Sequence, residues 1–543
     1  MRMRVRSRLA AVLGEILVLV AASVPSVAAS ASAPASDEKR TAAYFESIRK
    51  DPNLLLPFLH EMPKGGDLHN HLTGGIYAES FIQWEADRGD CVDPQTLTFS
   101  APPCNAPAVP AANALADQGL YNKIVDALSM RNWQLSGQSG HDHFFDTFFK
   151  FSRATWGTTD RMLAQTASRA SSQRETYQEL MLTPTGKELD ALAKSVGWDD
   201  DFGRLQQKLI AGGLPQILAA AREELKRAEA ARDQLLKCGQ PEADPGCQVV
   251  QRFISQVRRG KSKEAVFADA LAGFLLAGAD PSLVPPAPHI VGINLVMAED
   301  WYVPMSDFSL HMRMLNYLHQ KYPQVHISLH AGELVEGLVP PEDLQFHIRD
   351  SIAIGHAERI GHGVDVMNET QPFELLREMA KRKVMVEICL TSNAVILGVS
   401  GPQHPLGEYI RAGVPVALAT DDEGVSRSDM THEYLRGAQD QGLSYLQLKK
   451  MARTGMEHAF AGGASLWRND GFAVVKECEG QAPGGGRPSD KCQKFLSGNE
   501  KACLQWNLEG QFRQFESQAW GASSSGRVPS KPASWQCAIQ GAR

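Results

Sequence analysis

The chain has 543 residues, with 55 Lys+Arg against 62 Asp+Glu, a net charge of −7, 43% hydrophobic and 22% charged residues. That balance excludes a disordered chain, and without a basic excess to neutralise phosphates a general nucleic-acid binder is excluded too. The length allows two or three small domains or one large barrel with insertions.

Arg2, Arg4, Arg6 and Arg8 precede an apolar run from Leu9 to Val24, followed by the small residues Ser26-Val27-Ala28 and Ala29-Ser30-Ala31. Basic, apolar and small segments in that order read as a signal peptide over residues 1–28, which predicts a secreted or periplasmic protein. A membrane anchor is the weaker reading. The run has 16 residues and carries Glu15, short of the ~20 that span a bilayer, and no later stretch is long and apolar enough. Removing residues 1–28 removes four Arg and one Glu and takes the net charge to −10.

Nine cysteines agree with an oxidising compartment. Cys389 lies inside the apolar run Val384–Leu390 and reads as a free core thiol. The other eight fall in loop-like or C-terminal segments. Cys91 with Cys104 and Cys238 with Cys247 are the local pairs, while Cys478, Cys492, Cys503 and Cys537 leave three connectivities open. No C-x-x-C occurs, against a thioredoxin motif or a zinc ribbon.

Residues 29–40 read as a polar leader and residues 41–60 as helical. A turn at Pro63-Lys64-Gly65-Gly66 leads into Asp67-Leu68-His69-Asn70-His71-Leu72. Residues 86–120, rich in Pro, Ala and Cys, have no clear period and read as an insertion; residues 121–235 are mostly helical in pattern. Short apolar runs then alternate with helical stretches, the signature of a parallel sheet covered on both faces. Eight strands are expected, near positions 68, 178, 251, 292, 327, 360, 386 and 417, which is the count of a TIM-type (β/α)8 barrel. The expected organisation is an α/β barrel over residues 29–470, with an N-terminal helix and helical and disulfide-bearing insertions. A Cys-containing extension over residues 471–543 is expected to pack on it.

Four strand ends carry polar clusters: His69-Asn70-His71, His330-Ala331-Gly332-Glu333, Gly361-His362-Gly363 and Thr420-Asp421-Asp422. In a parallel barrel these ends converge on the face where active sites are built. H-x-H on a strand points both imidazoles to one side. Two His from one strand, a third from another and one Asp form a nitrogen-rich set suited to Zn²⁺. Taken singly, a His at a strand end is more often structural, and it is the combination that points to a site. A second H-x-H, His141-Asp142-His143, precedes Phe144-Phe145 and Phe148-Phe149; it reads as helix and loop and is assigned to packing or the pocket wall.

With these motifs, and with Met62-Pro63-Lys64-Gly65, Ser129-Met130-Arg131-Asn132, Thr391-Ser392-Asn393 and His404-Pro405-Leu406, the chain resembles the adenosine deaminase family of the amidohydrolase superfamily, and within it the secreted growth-factor-like branch. The matching segments run from about residue 62 to 422. The resemblance implies one Zn²⁺ per chain, held by His69, His71, His330 and Asp421. It implies that Glu333 protonates the purine N1, that His362 orients and helps deprotonate the attacking water, and that Asp422 bonds the purine N7. The implied substrate is a small-molecule purine nucleoside, with no nucleic-acid partner, no membrane after signal removal, and a homodimer left open. Thr73 stands where the family commonly has an acidic residue that contacts the ribose. Met297 stands where the family has a Gly whose N–H meets purine N3; it keeps the N–H but adds a side chain.

The implied reaction is hydrolytic deamination of adenosine and 2′-deoxyadenosine. The alternatives are an amidohydrolase acting on another purine or modified nucleoside, and a secreted non-catalytic binding protein on the same fold. His356-Ala357-Glu358 supplies half of the other zinc deaminase motif, but no P-C-x-x-C follows. P-loop, H-E-x-x-H and G-x-S-x-G motifs are absent.

Overall fold

The computed structural model describes residues 36–287, 289–518, 520 and 537; the expected signal peptide lies outside them. Eight strands form one parallel sheet in which neighbours in sequence are neighbours in space: β1 Gly65–His71, β2 Glu175–Leu182, β3 Val250–Arg258, β4 Ile290–Val296, β5 His326–Ala331, β6 Arg359–His362, β7 Met385–Ile388 and β8 Val416–Leu418. Each of the eight expected positions falls inside one of them. The circle is completed where Asn70 and Asp421 form a parallel bridge. There His71 N donates to the Asp421 carbonyl at 3.1 Å and Asp421 N to the His69 carbonyl at 2.8 Å. With helices between the strands, this is a (β/α)8 barrel.

The apolar runs explain the strands. Leu180, Phe253, Ile293, Ile327, Leu329, Ile360, Val386 and Leu418 are all buried in one continuous core, as expected for a sheet covered on both faces. The helix Lys263–Leu276 is buried along nearly all its length and is apolar past its first turn except for Asp269, which pairs with Arg258, so it sits inside the helical layer instead of at its surface. β1 is the exception in composition. Its sequence Gly-Gly-Asp-Leu-His-Asn-His is polar yet buried throughout, so every polar group on it needs a partner. Those partners are what build the site.

The helical stretch expected over residues 41–60 divides into Asp37–Ile48 and Pro52–Glu61. Asp51 caps the second helix by accepting from Asn53 N, and Pro52 occupies its first turn, where a missing N–H costs nothing. The insertion contains a small antiparallel sheet, with Cys91–Val92 between Phe99–Ser100 and Val109–Pro110, tied by the Cys91–Cys104 disulfide. Cys238–Cys247 forms as expected. The open choice among the last four cysteines resolves to Cys478–Cys492 and Cys503–Cys537, and Cys389 is free and buried. The helix Glu500–Glu516 places Leu504, Leu508, Phe512 and Phe515 in the main core. Its other face carries Cys503 and Trp506 into a separate apolar cluster with the disulfides. No helix among the described residues is long and apolar enough to cross a membrane.

Candidate metal centre and active site

Barrel closure creates the centre. The pairing of Asn70 with Asp421 sets the Asp421 carboxylate beside the two imidazoles that β1 projects to one side, and β5 supplies His330 from across the barrel. His69 Nε2 and His71 Nε2 lie 3.1 and 3.2 Å from His330 Nε2. The Asp421 Oδ1 lies 3.4 Å from His69 Nε2 and 3.3 Å from His71 Nε2. These four separations match edges of a tetrahedron whose centre lies about 2 Å from each corner, the Zn–N and Zn–O bond length. His69, His71, His330 and Asp421 are all buried.

The outer partners hold two of the imidazoles, His69 and His330, in the form a metal requires. His69 Nδ1 donates to Glu387 Oε2 at 2.7 Å, and His330 Nδ1 donates to Asn294 Oδ1 at 2.9 Å. At His71 the polarity is reversed: Gln256 Nε2 donates to Nδ1 at 2.9 Å, and Thr183 donates to the Gln256 Oε1. A proton on Nδ1 leaves the Nε2 lone pair free. The two such lone pairs, on His69 and His330, face each other at 3.1 Å and repel unless a cation sits between them. Burial, then the neighbouring imidazoles, push His330 well below its ordinary pKa, so it stays neutral. At His69 burial opposes charge, yet the hydrogen bonds that the ring donates to Asp421 and Glu387 raise its pKa to about 10. The quartet therefore attracts positive charge, and its donor set suits a divalent ion such as zinc.

Behind this layer stands Arg359, fully buried, with Glu387 Oε1 at 2.7 Å and Glu179 Oε2 at 2.6 Å. Arg259, also fully buried, donates to the Met297 and His330 carbonyls at 2.9 and 3.0 Å and so braces the ends of β4 and β5 together. The sequence reading assigned no role to Glu387, Asn294, Gln256 or Arg259. A signal existed for two of them. Glu387 and Asn294 interrupt otherwise apolar buried strands, and a buried polar side chain demands a partner.

The remaining candidates surround the quartet. Burial, then the charge of Asp421, raises Glu333 well above the usual carboxylate range. Its Oε1 has no partner among the described residues, while its backbone N–H is held by Glu299 Oε2 at 2.9 Å. Asp422 is raised by the same two causes and has an unpartnered Oδ1. Its carboxylate lies against Gly74, where an added Cβ would sit 1.6 Å from Oδ1, so only Gly leaves it room. The His362 ring is buried, burial lowers its pKa to about 3, and its Nε2 has no partner. One of its ring nitrogens lies within 4.8 Å of the Glu333 and Asp421 carboxylates. Met297 has φ +84°, His362 +69° and Asp421 +61°. All three non-glycine residues occupy the left-handed region, a strain that concentrates at functional sites.

A pocket of about 300 Å³ adjoins the centre, lined in part by Thr73, Thr155, Thr159, Thr183, Glu224 and Gln256. His141 and His143 fall on the helix Gly140–Phe151. His141 bonds Asp300, and His143 meets the carbonyls of Asp126 and Ser129. Neither joins the quartet.

Fold and quartet define a (β/α)8 barrel with a metal-ready centre at the C-terminal ends of its strands. Residues 279–465 match the family model described as adenosine deaminase. An adenosine deaminase of Klebsiella pneumoniae is 38% identical over 138 residues, 25% of this chain and 38% of that protein; one of Escherichia coli is 37% identical over 136 residues, again 25% and 38%. The matched stretch thus spans well under half of these curated relatives. An adenine deaminase structure from Arthrobacter aurescens is 18% identical, covers 74% of this chain and 94% of its own, and has a TM-score of 0.48. Over residues 279–465 the chain is thus similar to the adenosine deaminase family.

Proposed function

We propose that the chain is an exported, zinc-dependent hydrolase that converts adenosine and 2′-deoxyadenosine to inosine and 2′-deoxyinosine with release of ammonia. The observation that carries this reading is the juxtaposition of the quartet with two buried carboxyl groups, Glu333 and Asp422, whose pKa burial and the charge of Asp421 both raise. When bound, Zn²⁺ supplies a Lewis acid that brings the pKa of water down to about 7. The chain's own residues do the rest. A purine offers acceptors at N1, N3 and N7, and the site offers two carboxyl groups of raised pKa, which donate when protonated, and the Met297 backbone N–H. Glu333 gives its proton to N1 and makes C6 electrophilic, Asp422 donates to N7, and His362 orients the attacking water. Water adds at C6; one of its protons goes to the amine, which leaves as ammonia as the C6–N bond breaks, and the other returns to Glu333, whose own proton stays on N1 of the product.

The neighbouring pocket supports a nucleoside over a nucleotide. Its described lining contains threonines and Glu224 but no Lys or Arg, so it offers hydroxyls to a sugar and a carboxylate, not a cation, where a phosphate would want one. Export rests on the order of charge and hydrophobicity in residues 1–28 and on four disulfides, and the secreted growth-factor-like branch goes with it. The test is an ultraviolet assay of the purified protein against adenosine, 2′-deoxyadenosine, adenine and AMP, with ammonia measured in parallel. Turnover confined to adenine or AMP overturns the substrate; no turnover of any purine overturns the reaction.

A further inference from the structure

We propose that Asn393 and His404 are positioning residues that lock His362 into one tautomer, with its proton on Nε2, so that the neutral ring meets the reacting oxygen as a hydrogen-bond donor. The relay starts from a group of fixed polarity. The backbone N–H of Leu406 can only donate, and it lies 3.1 Å from His404 Nδ1. That nitrogen must accept, so neutral His404 carries its proton on Nε2. His404 Nε2 lies 3.1 Å from Asn393 Oδ1 and donates to it. The amide is thereby oriented, and its Nδ2 faces His362 Nδ1 at 3.0 Å. An amide NH₂ can only donate, so His362 Nδ1 accepts and the ring proton resides on Nε2.

The whole relay is buried: His404 is 3% exposed, and Asn393 and His362 are 0%. No competing solvent bond is available to reverse it. Its output is the His362 Nε2–H, which has no partner among the described residues. Two of the ligand imidazoles are set the opposite way. Glu387 and Asn294 accept from Nδ1 of His69 and His330, leaving Nε2 as a lone pair. One barrel mouth therefore holds imidazoles of both polarities, each fixed by its second partner. His362 in this state offers a proton to an oxygen and cannot take one from it at Nε2, which amends the expectation that it helps to deprotonate the water.

The kinetic part of the test rests on the proposed deaminase reading; the spectroscopic part does not. The ring tautomer of His362 is read by long-range ¹H–¹⁵N correlation in ¹⁵N-histidine-labelled, metal-loaded protein, and its signals are assigned by their absence in His362→Gln. The wild type should show Nε2–H. Asn393→Asp substitutes a side chain that can only accept when ionised, so His362 Nδ1 should become protonated. Its kcat should fall about 10²-fold or more, the scale of a wrong tautomer, with KM within about threefold and metal content unchanged. His404→Gln keeps an N–H for Asn393 Oδ1 and should retain the Nε2–H form and a kcat within about tenfold of wild type; His404→Leu should not. If Asn393→Asp fails to fold, the two His404 variants decide. An Nδ1–H wild type, an unchanged tautomer in Asn393→Asp, or equal losses in His404→Gln and His404→Leu would overturn the relay. A wild type that turns over no purine would instead sink the deaminase reading and leave the tautomer result standing.

Discussion

Replacing Glu333 by Gln is the perturbation that most directly probes the proposed chemistry. The side chain is buried, its Oε1 has no partner among the described residues, and the nearest ring nitrogen, His362 Nδ1, is 3.6 Å away. The backbone is pinned independently through Glu299. Gln therefore fits the same space and breaks no hydrogen bond, so what is lost is the proton that a neutral carboxyl can transfer. General acid catalysis is worth roughly 10²–10⁴-fold, which at 1.36 kcal/mol per decade is about 2.7–5.5 kcal/mol of transition-state stabilisation. Steady-state kinetics on adenosine should show that fall in kcat, with KM little changed and metal content, measured by elemental analysis, near wild type. The pH profile adds a second check. Burial and Asp421 raise the Glu333 pKa, so the acid form is present below the raised value and is lost as pH rises through it. The wild type should lose activity on the alkaline side, and Glu333→Gln should lose less of its residual rate there. A Gln variant within tenfold of wild type refutes the assigned acid, and one that loses its metal makes Glu333 a ligand or ligand support.

Other consequences are separately measurable. His330→Ala should lose most of its metal and its activity, and full retention of both would remove His330 from the ligand set. Glu387→Gln takes the charged acceptor from His69 and from Arg359; chelator competition should show metal affinity weakened about 10–100-fold, as for other partners of metal-bound His. Cys503→Ser opens a loop of 34 residues and should cost about 4 kcal/mol by chain entropy, read by denaturant unfolding, with turnover of the folded fraction preserved. Thiol counting under denaturing, non-reducing conditions should find about one thiol, Cys389, and N-terminal sequencing of exported protein should begin shortly after Ala28. Several thiols, or an intact Met1, would contradict the disulfide and export readings in turn.

The strands and their polar ends were legible in the sequence because their physics is local. A strand buried on both faces is mostly apolar, so β4, β5, β7 and β8 stand out by their Val, Ile and Leu, and a His or Asp at the end of such a run is conspicuous. H-x-H on β1 follows from a side-chain period of two, and the two short-range disulfides follow from spacing. What lay beyond the sequence depends on residues far apart in the chain. The Asp421 carboxylate comes beside His69 and His71 only because β8 closes onto β1, a contact across about 350 positions. Glu387, Asn294 and Gln256 acquire their roles only when their strands come to lie beside His69, His330 and His71. Arg259 is one of two consecutive arginines, and nothing local marks which turns inward to brace Met297 and His330. The pairing of the last four cysteines waited on which faces of the C-terminal helices meet. The polarity of His362 was hidden for the same reason. A tautomer is set by the partner of the other ring nitrogen, and here that partner is the end of a chain of hydrogen bonds that exists only in the folded barrel.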